Sequence, residues 1–283
     1  MFFILKILRP RQWIKNGFVF TPLIFTGMFT NVQAIGQVFS AALWFCIAAS
    51  AVYILNDIQD RERDKQHPTK SKSRPLASGA VSLKTAWILL FSLYALLTLA
   101  AWLQPKVIAV IVIYIVINIF YSLRLKHEPV LDIFTIAIGF VLRVYAGALA
   151  LEVPMSSWMF VTTLCLALYL AAVKRRQELN QNGSQSREVL SRYSVALVDR
   201  YAEMAACGAL IFYSLFVMST HPELVVTIPL VLFGLFRYWY VVEVLDRGES
   251  PTDALLADTP LLSTVALWIG SCMWVLWPTG AHG

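Results

Sequence analysis

The stretch Ala51-Val52-Tyr53-Ile54-Leu55-Asn56-Asp57-Ile58-Gln59-Asp60-Arg61-Glu62-Arg63-Asp64 begins as sequence fit for a lipid interior and ends in carboxylates. Its apolar part reaches back to position 37, long enough to cross about 30 Å of hydrocarbon as a helix. The charges begin where such a helix would leave the bilayer. The same alternation of long apolar runs and short charged ones recurs along the chain, predicting spans at 16–30, 37–58, 85–103, 106–122, 131–151, 156–173, 204–220, 224–244 and 260–277. Composition agrees. Only 14% of residues are charged, against about 25% in soluble domains, too few to coat a water-facing surface. No Pro/Gly/Ser-rich linker divides the chain, so the expectation is a single all-α transmembrane domain over 1–283, with about nine helices.

Lys and Arg fall in alternate loops. Lys6, Arg9, Arg11 and Lys15 precede the first span; Arg61 to Lys84, Arg124 and Lys126, Lys174 to Arg200, and Arg247 follow the even-numbered ones. The positive-inside rule then puts the N-terminus in the cytoplasm and the C-terminus outside, in a cell (inner) membrane protein. The net charge of +6 belongs to these loops, so no nucleic-acid partner is expected. The stretch 17–30 lacks a small-residue cleavage site and reads as a retained helix, not a signal peptide. Cys46, Cys165, Cys207 and Cys272 lie in apolar stretches without a CxxC pair and read as small buried hydrophobes. Gly139 and Gly147, in the fifth span, read as sites of close helix packing.

At 100° per residue, Asp57, Asp60 and Asp64 fall within about 60° of one another, with Asn56 beside them. Such a stripe suits Mg²⁺, which takes one or two carboxylates together with substrate phosphate oxygens. The alternative is a solvated helix end paired with Arg61 and Arg63. The following segment, His67-Pro68-Thr69-Lys70-Ser71-Lys72-Ser73-Arg74-Pro75-Leu76-Ala77-Ser78-Gly79, supplies cations either for uncovered phosphate oxygens or for topology alone.

Asn56-Asp57-x-x-Asp60-x-x-x-Asp64, with Arg74-Pro75-Leu76-Ala77-Ser78-Gly79 after it, resembles the first signature of the UbiA superfamily of intramembrane prenyltransferases. That resemblance implies nine helices around an active site opening to the cytoplasm. Members that prenylate aromatic rings carry a second Asp-rich motif after the sixth helix. Here that place reads Ala172-Val173-Lys174-Arg175-Arg176-Gln177-Glu178-Leu179-Asn180, with three cations. One acidic and one cationic motif suit a metal-bound diphosphate and a separate metal-free phosphate. The chain looks like the superfamily's phosphoribosyl-transferring branch also in Leu8-Arg9-Pro10-Arg11-Gln12-Trp13-Ile14-Lys15-Asn16, in Tyr121-Ser122-Leu123-Arg124-Leu125-Lys126-His127, in Leu131-Asp132-Ile133 through Gly139 to Arg143, and in Lys174-Arg175-Arg176-x-Glu178-Leu179.

The branch implies Mg²⁺ as cofactor, phosphoribosyl diphosphate as donor, a polyprenyl (decaprenyl) phosphate lipid as acceptor, and a place in cell-wall precursor synthesis. On that resemblance Asp57, Asp60 and Asp64, assisted by Asn56, hold the metal; Lys15, Arg74, Lys126, Lys174, Arg175 and Arg176 meet phosphates. Asp132 and Arg143 either line the cavity or form an internal pair; Tyr121 and Asp199 either act in the site or hydrogen-bond structurally. An aromatic prenyltransferase of the same fold is the first alternative. A transporter is the remote one, since paired Gly/Pro interruptions of the spans are missing. Homo-oligomerisation stays open.

Overall fold

A computed structural model describes residues 2–66, 70–182, 188–245 and 251–278. His67, Arg187, Arg247 and His282 lie outside the described residues.

Apolar length and good caps make the long helices. Asn31 caps α3 (Val32–Gln59) by accepting from the Gln33 and Ala34 amides, and Ser82 caps α6 (Leu83–Ala100) through Thr85. Pro105 opens α7 (Pro105–Leu123) at the expected tight hairpin, where it needs no amide donor. α8 (Leu131–Ala150) and α9 (Ser157–Asn182) follow. Then come α10 (Val195–Thr220), capped by Ser194, and α11 (Ile228–Glu243). The chain bends by 97° between α12 (Pro251–Ala257) and α13 (Thr259–Val275), and Asp258 caps the latter through the Leu261 amide. Among the described residues seven helices are long and apolar enough to cross a membrane, or eight if the bent pair is one span. There are no strands among them.

The expected first span, 16–30, is not one α-helix. After α1 (Phe2–Leu8) comes a 3₁₀ segment, Pro10–Phe20, then α2 (Thr21–Phe25), then a 3₁₀ turn at Met28–Thr30. Pro10 and Pro22 each remove a helix donor, and Gly27 turns at φ 68°. A second difference lies at the sixth and seventh spans. α9 and α10 continue several residues past the expected boundaries, 173 and 204, so the charged segment beginning at Lys174 is helix instead of loop.

α8 and α3 sit at the centre, with 67% and 56% of their spanning windows buried, against 28–39% for the other spans. Small residues permit this. A Cβ on Gly147 would stand 2.0 Å from the Val19 carbonyl oxygen, so only glycine lets the 3₁₀ segment lie against α8. Gly147→Ala should therefore lower the thermal unfolding temperature in detergent, by the equivalent of about 1–3 kcal/mol. Gly36→Ala, with open space around it, should leave the temperature unchanged.

Candidate active site

The chain bends at the acidic end of α3. Asp60 terminates that helix, and α4 (Arg61–Gln66) continues through the Asp64 amide bonding to the Asp60 carbonyl at 2.8 Å. α5 (Lys70–Ser73) leads to Arg74. There Pro75 and Ser78 build a turn that closes with Gly79 at φ 78°, anchored by the buried Leu76. Arg74 is thus aimed back at α3. Its guanidinium meets Asp57 Oδ1 at 3.1 Å and pairs with Asp64, so these two carboxylates do share a face. Asp60 turns toward Lys126, 3.7 Å away.

Asp57 is 2% exposed. Its Oδ1 accepts from Arg9 at 2.5 Å as well as from Arg74, while its buried Oδ2 has no hydrogen-bond partner. Arg9 lies 4.8 Å over the Tyr53 ring and has left-handed backbone, φ 53°, a conformation uncommon outside glycine. Further contacts tie its neighbours to α3: Trp13 Nε1 donates to Ser50 Oγ at 3.0 Å, Ser50 Oγ to the Leu8 carbonyl at 2.9 Å, and Asn16 Nδ2 to Cys46 Sγ at 3.1 Å. Asn56 Oδ1 accepts from Ser122 Oγ at 2.5 Å, which fixes α7 to α3 beside the stripe.

Asp132 and Arg143 do not pair with each other. Arg143, 6% exposed, donates through Nε to Asn16 Oδ1 at 2.7 Å, to the Gly139 carbonyl at 2.6 Å and to Tyr114 Oη at 3.2 Å. The rings of Phe45, Tyr114 and Phe140 surround it within 5.5 Å. Burial pushes the pKa of Lys15 down to about 8; Arg143 adds to this, Asp253 opposes it and Arg9 adds further.

Lys174, Arg175 and Arg176, expected to meet phosphates, are not brought to one place. Consecutive helical residues point about 100° apart, so the three separate. Arg175 is 1% exposed: its Nε donates to Asp132 at 2.6 Å, Nη1 to Glu178, and Nη2 to Tyr121 Oη at 3.1 Å. Tyr193 Oη closes the network, donating to Asp132 Oδ1 at 2.7 Å and accepting from the Val130 amide at 2.6 Å. Val130 has φ 69°, strained for a β-branched residue. Arg176 clamps Asp199 of α10 at 2.5 Å and Glu243 of α11. Lys174 lies 3.9 Å from Glu178. Arg175 and Arg176 thus hold helices together.

Among the described residues no three acidic, His or Cys side chains converge as a ready metal cage. Asp57, Asp60 and Asp64 lie instead beside Arg9, Arg74 and Lys126. The residues still fit Mg²⁺ carried by a diphosphate, which uses one or two carboxylates, because Asp57 offers a buried, unpartnered oxygen. Arg9, Ser122 and Tyr193 were missed as contributors. Arg9 stood in the Leu8–Asn16 resemblance, but nothing local ties it to a carboxylate 48 positions away.

A model of the UbiA prenyltransferase family matches residues 20–257. The chain belongs to that family. It is 31% identical to decaprenyl-phosphate phosphoribosyltransferase from Mycolicibacterium smegmatis, over 95% of this chain and 90% of that one. It is also 31% identical to decaprenyl-phosphate phosphoribosyltransferase from Corynebacterium glutamicum, over 94% and 84%. Its fold matches that of a UbiA homolog from Archaeoglobus fulgidus bound to GPP and Mg²⁺, with TM-score 0.74 at 21% identity, over 96% and 98% of the two chains. A membrane bundle of UbiA type was the expectation, and family and fold both agree.

Replacing Arg175 by Met should strand Asp132 as a buried charge. An unfolding midpoint in detergent, measured without ligand, should fall by the equivalent of about 3–5 kcal/mol. A residue that served only to bind substrate would leave it unmoved.

Proposed function

We propose that this chain transfers 5-phosphoribose from phosphoribosyl diphosphate to a polyprenyl phosphate and releases diphosphate. It would act as one UbiA-like unit at the cytoplasmic face of the cell membrane, N-terminus inside and C-terminus outside. The observation that carries this reading is the acidic end of α3 gathered with Arg9, Arg74 and Lys126, in a chain so similar along its length to two decaprenyl-phosphate phosphoribosyltransferases. A donor with a diphosphate on the anomeric carbon needs carboxylates for its metal and cations for its free oxygens, and both lie here within one cluster.

In the transfer the bond from ribose C1 to the diphosphate oxygen breaks, and that oxygen keeps the electron pair. A new bond forms from C1 to an oxygen of the lipid phosphate. The lipid phosphate is already anionic, so no base has to remove a proton. Asp57 and Asp64, with Asp60 and Asn56 beside them, would hold Mg²⁺, which when bound supplies charge withdrawal from the departing diphosphate. Arg9 and Arg74 stand where they can neutralise the same oxygens, and Lys126 adjoins through Asp60. Most of the rate enhancement would come from holding two anions in register, which proximity and fixed charge can supply.

Detergent-purified protein given labelled phosphoribosyl diphosphate, polyprenyl phosphate and Mg²⁺ should move label into extracted lipid. EDTA should abolish the signal, and Asp60→Ala should cut it at least about 100-fold while leaving the protein folded. Label that stays aqueous with active, folded protein would refute the donor and favour a prenyl diphosphate in its place.

A further inference from the structure

We infer that Tyr193 is a positioning residue for the acidic end of α3: its hydroxyl holds a strained turn at Val130, and that turn holds Lys126 against Asp60. The inference rests on the reading that the acidic end takes a metal-bound diphosphate, and it adds a residue that touches neither metal nor phosphate.

Lys126 sits on the connection between α7 and α8, in the 3₁₀ turn Leu125–His127. A lysine has a long flexible stem. The turn's own bonds are short-range, from the His127 amide to the Arg124 carbonyl at 3.0 Å and from the Glu128 amide to the Leu125 carbonyl at 3.2 Å. Neither fastens the connection to the rest of the molecule. Val130 does. The Leu131 amide donates to the Pro129 carbonyl at 2.8 Å, closing a γ-turn around Val130 at φ 69°, ψ −46°. That conformation is rare and strained, the more so for a β-branched residue, and it persists only where the surroundings impose it. Side-chain packing does not impose it, since Val130 is 39% exposed. Its amide does, by donating to Tyr193 Oη at 2.6 Å.

Tyr193 is itself firmly seated. Val189 and Leu190 of the preceding 3₁₀ segment, Glu188–Arg192, are fully buried in the apolar cluster that joins α9, α10 and Ile133 of α8, and Tyr193 belongs to the same cluster. Its hydroxyl donates to Asp132 Oδ1 at 2.7 Å, which leaves a lone pair aimed at the Val130 amide. Arg192 adds a second, exposed tie to the same connection, 3.5 Å from Glu128. At the other end Ser122 is fastened to Asn56 of α3. The segment from Ser122 to Val130 is therefore pinned at both ends, with Lys126 midway and its Nζ 3.7 Å from Asp60.

Calorimetry on full-length protein in detergent tests this brace, with Mg²⁺ and inorganic diphosphate as the probe and the unfolding temperature recorded for each variant. Lys126→Met should weaken binding at least about tenfold, the loss of a charge-assisted contact. Tyr193→Phe should weaken it at least about fivefold, yet add less than about twofold in the Lys126→Met protein, because both act through one side chain. Tyr193→Phe also takes a partner from the buried Asp132, so its unfolding temperature should fall. Val130→Pro breaks the brace from the other side and spares that bond: proline has no amide and cannot adopt φ 69°. It should lose affinity at least about fivefold with an unfolding temperature near that of wild type. The conservative Val130→Gly keeps the amide and takes that φ without strain, and should recover affinity to within about twofold. A purely structural tyrosine would lower the unfolding temperature and leave the affinity of the folded protein where it was. Affinity within about twofold of wild type in folded Tyr193→Phe or Val130→Pro, or a Tyr193→Phe loss that recurs at full size beside Lys126→Met, overturns the inference. Diphosphate leaves from phosphoribosyl and prenyl donors alike, so these titrations read the brace whichever donor the transfer assay favours.

Discussion

A carboxylate in a bilayer protein has to find its compensation inside the protein, and Asp57 shows what that demands. The acid is 2% exposed at the end of α3, so water cannot neutralise it. Its charge is met by Arg9 from one direction and Arg74 from another. Each arginine brings its own stretch of chain: the N-terminal segment with Trp13, Lys15 and Asn16, and the α5–α6 connection with its Gly79 turn. One buried charge therefore ties together two segments that also pack against α3 through Ile7, Leu76 and Val81, and the oxygen of Asp57 left unpartnered among the described residues is the natural place for a further cation.

The same logic governs the other buried ions. Asp132 and Arg175 are almost fully enclosed, and they are tolerable because they bond each other and Tyr121, Glu178 and Tyr193 bond their remaining polar atoms. The strain at Val130 is held in place by the Tyr193 hydroxyl, which accepts a hydrogen bond from that residue's amide and donates one to Asp132. Arg143 differs, being compensated by dipoles and ring faces only. A network closed on itself reads as architecture.

The long spans were legible in the sequence because apolar length is a strong signal, and the shared face of Asp57 and Asp64 was legible because their spacing repeats that of a helix, although Asp60 between them turns to Lys126. Two things were not. Hydropathy marks where a membrane ends, not where a helix ends; α9 runs on beyond 173 through good helix formers such as Lys174, Arg175 and Glu178, so cations read as a loop are dispersed around a rod. The first span failed for a different reason: its apolar content is right, but Pro10, Pro22 and Gly27 convert it to short segments that reach their neighbours through tertiary contact. The partners of the acidic stripe lie 17, 48 and 66 positions away, and no local pattern encodes such pairings.

Those failures bear on how motifs are read in membrane enzymes. Three adjacent cations in place of an acidic motif suggested a phosphate site by charge alone, yet a charge on an interior helix face is first claimed by whatever carboxylate the neighbouring helices present. Asp132, Asp199 and Glu243 make that claim on α9. The N-terminal 3₁₀ segment is held differently, by Trp13 on Ser50 and Asn16 on Cys46 and Arg143. What decides whether a basic residue can serve a ligand is thus the balance of charge on the helices packed against it, a property of the fold that the residue's own sequence neighbours do not carry.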